Sequence, residues 1–242
     1  MLMQRYFQAL QDHIAAIAAD SEPIEAAARM CAESLANGGV VHIFDSGHLV
    51  SYEMINRAGG PVAFSRLGFS LQVDDLVKTR AGGDAAPTLS YGYIAHIFET
   101  NQLRAGDVLI VGSVSGKTPN VIELALQGKA HGLKVITMSA LAYSKELPSE
   151  HPSGKRLYEV GDLFLDNHAP YGDAMLSVEG MEYPICPASG VGAVVVLWAM
   201  VAGMVEEMMG RGVTPTMYPS VNRPNGKALV AAADAAAMKK GY

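Results

Sequence analysis

The sequence predicts an α/β fold: a three-layer α/β/α sandwich with a mostly parallel sheet and long N-terminal helices. Three observations predict it. Short β-branched runs at 40–44 (VVHIF), 108–111 (VLIV) and 133–138 (LKVITM) alternate with longer stretches of helical spacing. Small or polar residues follow each run, as at a strand-to-helix turn. Half of the 242 residues are hydrophobic, enough to bury a single substantial core. Strands that alternate with helices require right-handed crossovers and a sheet covered on both faces.

The elements follow in order. Met3, Tyr6, Leu10, Ile14 and Ile17 recur at helical spacing, so the chain opens on an amphipathic helix. Ser21-Glu22-Pro23 starts a second helix with Ile24, Ala28, Cys31 and Leu35 on one face, stopped by Asn37-Gly38-Gly39. Val40–Phe44 is the first strand, Asp45–His48 a tight turn, and residues 49–58 continue as a helix to Gly59-Gly60-Pro61. Val62–Ser65 is a second strand. An irregular stretch to Pro87 leads into a helix over 88–103, the strand 108–111, and a helix over 119–131 that has Pro in its first turn and Gly132 past its end. Strands at 133–138 and 162–165 precede an apolar helix over 191–209. One domain results: helices over 1–36, an α/β core over 37–212 and a tail over 213–242 whose one low-complexity tract is Ala-rich.

Composition excludes several classes. A formal charge of −6 is unsuited to nucleic acid, because affinity for a phosphate backbone rests on clustered Lys and Arg. Two distant cysteines, Cys31 and Cys186, form neither a disulfide framework nor a zinc motif, which suits a reducing compartment. The N-terminal segment lacks the pattern of a secretory leader, and the apolar stretch 191–205 is short for a membrane span. A cytoplasmic protein is expected, with no nucleic-acid or membrane partner.

The most informative segment is Asp107–Pro119, DVLIVGSVSGKTP. An apolar strand runs through a Gly/Ser turn into a helix opened by Thr-Pro. First-turn N–H groups have no intrahelical partners and the helix dipole favours negative charge, so an anion belongs there. Ser113, Ser115 and Thr118 add three hydroxyls, and phosphate is the natural guest. A nucleoside triphosphate loop is excluded: counting back from Gly116-Lys117-Thr118, its first glycine falls on Val111. A dinucleotide fingerprint is absent as well. Thr118 also suits a simple helix cap, and the serines suit an ordinary turn; those roles account for Thr118 better than for two serines framed by Gly112 and Gly116.

Val111-Gly112-Ser113-Val114-Ser115-Gly116-Lys117-Thr118 resembles the S-x-S-G-x-T signature of the SIS (sugar isomerase) domain family. The N-terminal helix pair, the strand ending in Thr137-Met138-Ser139, and Pro187-Ala188-Ser189-Gly190 ahead of an apolar helix extend the similarity. The stretches HPSGKRLYEVGD and DNHAPYGDA are similar to small single-domain members, the phosphoheptose-like phosphosugar isomerases. The resemblance implies flavodoxin-type winding, a phosphorylated sugar as ligand, aldose–ketose isomerisation through an enediolate, and a homodimer or higher homo-oligomer. One turn departs from the family. Its members carry G-x-G-x-S after the first strand, whereas this chain has Asp45-Ser46-Gly47-His48, which leaves Ser46 as the candidate contact.

Isomerisation needs a base to move a proton between adjacent carbons, and donors for the enediolate. The resemblance points to Glu53 as base; the alternative is a carboxylate that caps or solvates its helix. His48 is the candidate proton shuttle, or else a turn residue that binds a neighbouring carbonyl. His168, just after a strand, and Ser189, at the start of the last long helix, are candidate substrate contacts, against the plainer roles of loop histidine and helix starter. His48 and Glu53 are five residues apart, which is not a metal-ligand spacing on one helix face. No metal or other cofactor is expected. Two other readings share the fold: a sugar-phosphate sensor without catalysis, and an amino-sugar-phosphate lyase or isomerase.

Overall fold

The computed structural model describes residues 1–46, 51–70, 91–100 and 102–240. Two helices open the chain, α1 (Leu2–Ala19) and α2 (Ser21–Ala36). Then follow β1 (Val41–Asp45), α3 (Ser51–Met54), β2 (Phe64–Arg66), α4 (Ile94–Thr100), β3 (Val108–Gly112), α5 (Pro119–Ala130), β4 (Lys134–Ser139) and α6 (Leu141–Ser144). A 3-10 turn at Leu157–Glu159 precedes β5 (Leu163–Asp166), β6 (Ala174–Leu176), β7 (Ile185–Pro187), α7 (Ser189–Gly210) and α8 (Gly226–Lys240).

Five parallel strands form the central sheet in the order β2-β1-β3-β4-β5. Alternation along fully buried strands sorts their side chains between two cores. Val108 and Ile110 of β3, with Ile43, Ile136 and Met138 from its neighbours, face α1, α2 and α7. Leu109 and Val111, with Phe44 and Val135, face α4 and α5 through Ile97, Phe98, Val121 and Leu124. These are the three layers that the sequence predicts.

The helices pack closely where their residues are small. A Cβ on Gly203 of α7 would lie 3.0 Å from Ala28 Cβ of α2. Cys31 of α2 is fully buried there, with its Sγ 3.9 Å from Met200 Sδ of α7. Met200, Met204 and Met208 are buried, whereas Met209 turns outward. With 22 residues and a mean hydropathy of 1.8 over an 18-residue stretch, α7 is long and apolar enough to cross a membrane, yet one face of it belongs to the core that covers the sheet.

Several elements differ from the sequence expectation. The helix expected over 49–58 is one turn long in its described part; Asn56, at φ 54, leaves the helical region just beyond it. β6 and β7 pair antiparallel outside the main sheet, and neither has the length or alternation of a legible strand. The tail folds back. Residues 216–218 bond to 59–62 across an isolated bridge, and α8 follows, tied down by Tyr218 Oη donating to Asp234 Oδ1 at 2.8 Å.

Candidate functional site

In this strand order the chain leaves β1 toward β2 on one side and leaves β3 toward β4 on the other. A crevice therefore opens beyond the carboxyl ends of β1 and β3, where α/β sheets of this winding bind ligands. The last residues of the two strands, Asp45 and Gly112, are register partners, and Ser46 N–H donates to the Gly112 carbonyl at 3.2 Å. A cavity of about 340 Å³ lies at this position. Its described lining is Ser46, Tyr91, Tyr93, Ser113, Ser115, Thr118, Pro119 and Asn120.

The turn from β3 to α5 is held from behind by backbone bonds. Ser113 N–H donates to the Met138 carbonyl at 3.0 Å, and the carbonyls of Gly116 and Lys117 accept from Leu157 and Glu150 at 2.8 and 3.0 Å. Gly116 is required twice over. Its φ is +59, and a Cβ would sit 2.8 Å from Ser139 Oγ, 3.0 Å from Ser144 Oγ and 3.1 Å from Leu157 Cβ. Both of those serine hydroxyls are buried without a hydrogen-bond partner among the described residues.

On the open side, Ser113 Oγ accepts from Gly116 N–H at 3.2 Å, which leaves its own proton free to donate. Thr118 stands at the N-cap of α5 in extended backbone geometry, but its side chain makes no capping bond. Among the described residues, its hydroxyl and the first-turn N–H groups of Asn120 and Val121 have no partner and remain available to a ligand. The described lining contains no lysine, arginine or histidine. Lys117 points elsewhere: its Nζ lies 2.6 Å from Glu150 Oε1, and that carboxylate raises the Lys117 pKa. An anion here would be held by hydroxyls, amides and the helix dipole.

The other described candidates lie apart from this cavity. Glu53 is on α3, which packs on β1, β2 and α7; its Oε1 accepts from Arg57 Nη2 at 2.7 Å, and it is not among the lining residues. Asp45 turns its carboxylate to the start of α3 and accepts from Ser51 N–H at 3.0 Å. His48 lies outside the described residues. His168, at φ 56 after β5, has its Nε2 3.2 Å from Asp20 Oδ2 and Nδ1 3.9 Å from Asp166 Oδ2. Ser189 is buried, and its Oγ donates to Asp173 Oδ2 at 2.9 Å while its N–H donates to Asp173 Oδ1. Both belong to the region of β5 and the start of α7, two strands away from the crevice. Among the described residues, no three His, Cys, Asp or Glu side chains are grouped to hold a metal ion.

Tyr91, Tyr93 and Asn120 line the cavity without having been singled out in the sequence. Tyr-Gly-Tyr has an i, i+2 spacing that belongs to no helix face, the one local sign that these residues lie ahead of the helix.

Comparison with known proteins agrees with this architecture. Residues 5–140 match the SIS domain. A UPF0309 protein of Halalkalibacterium halodurans is 34% identical over 224 residues, covering 91% of this chain and 88% of that one. Another, from Listeria monocytogenes, is 35% identical over 208 residues, covering 85% and 84%. The solved structure of a phosphoheptose isomerase from Francisella tularensis shares the fold, with a TM-score of 0.50 at 17% identity over 82% of this chain and 94% of that one. The chain belongs to the SIS domain family.

Proposed function

We propose that the crevice between β1 and β3 binds the phosphate of a phosphorylated sugar, and that the protein interconverts aldose and ketose forms of it in the cytoplasm as a homodimer or higher homo-oligomer. The observation that carries the reading is the β3–α5 turn. Ser113, Ser115 and Thr118 line one cavity with the first turn of α5, and the Thr118 hydroxyl is not used as a cap. Ser46 lines the same cavity from the β1 side. In this reading a dianion accepts from those hydroxyls and from the α5 amides.

The test is affinity for sugar phosphates and for inorganic phosphate by calorimetry. Ser113→Ala and Ser115→Ala should each weaken binding about tenfold, the scale of a hydrogen bond to a charged group. Unchanged affinity in the double variant would overturn the reading.

Isomerisation needs the further step in which a carboxylate takes the proton from the carbon beside the carbonyl and returns it to the neighbouring carbon. Glu53 is the proposed base and His48 the shuttle between the two oxygens. Exchange of solvent deuterium into the sugar reads this step directly; Glu53→Gln should lower it by roughly 10²- to 10⁴-fold. A second reading has an observation of its own. Glu53 is bound to Arg57 and does not line the cavity, as expected of a sensor that binds a sugar phosphate without transforming it. Binding without any exchange in the wild-type protein would favour the sensor.

A further inference from the structure

The lining of the cavity is of two kinds: the hydroxyl and amide surface of the β3–α5 turn, and the side chains of Tyr91 and Tyr93, immediately ahead of α4. Both rings pack against other side chains. Phe69 stacks on Phe44 of β1, with centroids 4.8 Å apart and planes 7° apart, and meets Tyr93 edge-on at 5.8 Å and 66°. Tyr91 lies 5.1 Å from the His151 ring. His151 is itself buried and fixed, with Nδ1 2.8 Å from Ser153 Oγ and Nε2 3.1 Å from Glu123 Oε2. These contacts keep the two tyrosines in place before any ligand arrives, so little order must be imposed on binding.

We propose that Tyr91 and Tyr93 select the cyclic form of the ligand: the site takes a phosphorylated pyranose or furanose, with its ring against the tyrosine wall. This rests on the phosphate reading of the β3–α5 turn. A sugar ring groups its C–H bonds into apolar faces, and aromatic side chains offer a large apolar surface with a polar tip for the ring hydroxyls. An open-chain polyol presents no comparable face and must also freeze several torsions to bind. The electron-rich faces of the tyrosines repel a dianion, which directs the phosphate to the hydroxyl side and sets the orientation of the ligand.

The test uses three probes: inorganic phosphate, the 1,5-anhydrohexitol 6-phosphates of gluco, manno and galacto configuration, which cannot open, and the corresponding acyclic hexitol 6-phosphates. The wild-type protein should bind at least one ring-locked probe about tenfold more tightly than its acyclic partner. Tyr91→Ala/Tyr93→Ala should bring that ratio close to one and leave affinity for inorganic phosphate within about twofold, which also shows that the variant is folded. Tyr91→Phe/Tyr93→Phe should retain most of the ratio. The proposal falls if acyclic probes bind as well as ring-locked ones in every configuration, or if the preference survives loss of both rings. If no phosphate compound binds the wild-type protein, the phosphate reading falls and takes this one with it. Phosphate binding without ring preference removes this proposal alone.

Discussion

His42 and His13 sit where an imidazole is easier to keep neutral than charged. Burial lowers the His42 pKa, and the Asp107 carboxylate, 3.2 Å from its Nε2, only partly opposes that. Burial and then the proximity of His168 lower that of His13, against Asp166 and Asp173. The unfolded chain takes up these protons near the ordinary imidazole value of about 6.5, the folded protein only at lower pH. Above 6.5 both states leave the rings neutral and stability is level. Below it the unfolded state binds more protons, so stability falls with pH through the window between the ordinary and the lowered values. Thermal melts from pH 7.5 to 5.5 should show a falling Tm, and His42→Gln should flatten the fall whatever it does to the Tm at pH 7.5. An equal fall in the variant would mean that His42 titrates alike in both states. The Asp107 carboxylate has a second task, accepting from the N–H groups of Val40 and Arg104 at 2.9 Å each, which pins the start of β1 to the start of β3.

Among the elements, α7 depends on a residue from a different one. Its N-cap Ala188 offers no side-chain acceptor; instead Asp173, from the turn ahead of β6, accepts from the N–H groups of Ala188 and Ser189 and from Ser189 Oγ. Asp173 does this at φ 66, a left-handed conformation that Asp tolerates better than most side chains. Asp173→Ala removes the acceptor and keeps the strain, so it should cost about 2 kcal/mol. In a chain of this size that amounts to a Tm lowered by roughly 4–8 °C. Affinity for phosphate should not move, because Asp173 does not line the cavity. A full loss of phosphate binding in a folded variant would contradict that separation. The elements legible in the sequence are those whose own residues set them: the β-branched runs of β1, β3 and β4, and the periodic faces of α1, α2 and α5. The three-residue strands β6 and β7 were not legible, since their pairing depends on the chain returning from elsewhere. Nor was α8, because an alanine-rich run becomes a helix here through what it packs on, Ala237 being buried against the fold. The site divides the same way. Ser113, Ser115 and Thr118 could be read because one turn holds all three, whereas Tyr91 and Tyr93 join them only through tertiary packing. Strand order, which no local motif records, sets His168 and Ser189 beside β5 instead.

For the molecule as a whole, the sheet acts as a partition. One core lies between it and α1, α2 and α7, the other between it and α4 and α5, and the candidate cavity sits at the seam where β1 and β3 meet. The sulfur contact between α2 and α7 makes the larger core observable from outside. Burial pushes the Cys31 thiol up to about 12, and no part of it reaches solvent, while Cys186 is half-exposed. Thiolate is the reactive form, so Cys31 is shielded from alkylation by both chemistry and access. Under native conditions iodoacetamide should add a single carbamidomethyl group, on Cys186; two adducts at similar rates would mean that the interface between α2 and α7 opens freely. A second adduct should come only when that interface parts, at a pace set by the opening. The protein thus carries its own stopwatch for unfolding, read by mass spectrometry as the addition of a second carbamidomethyl group.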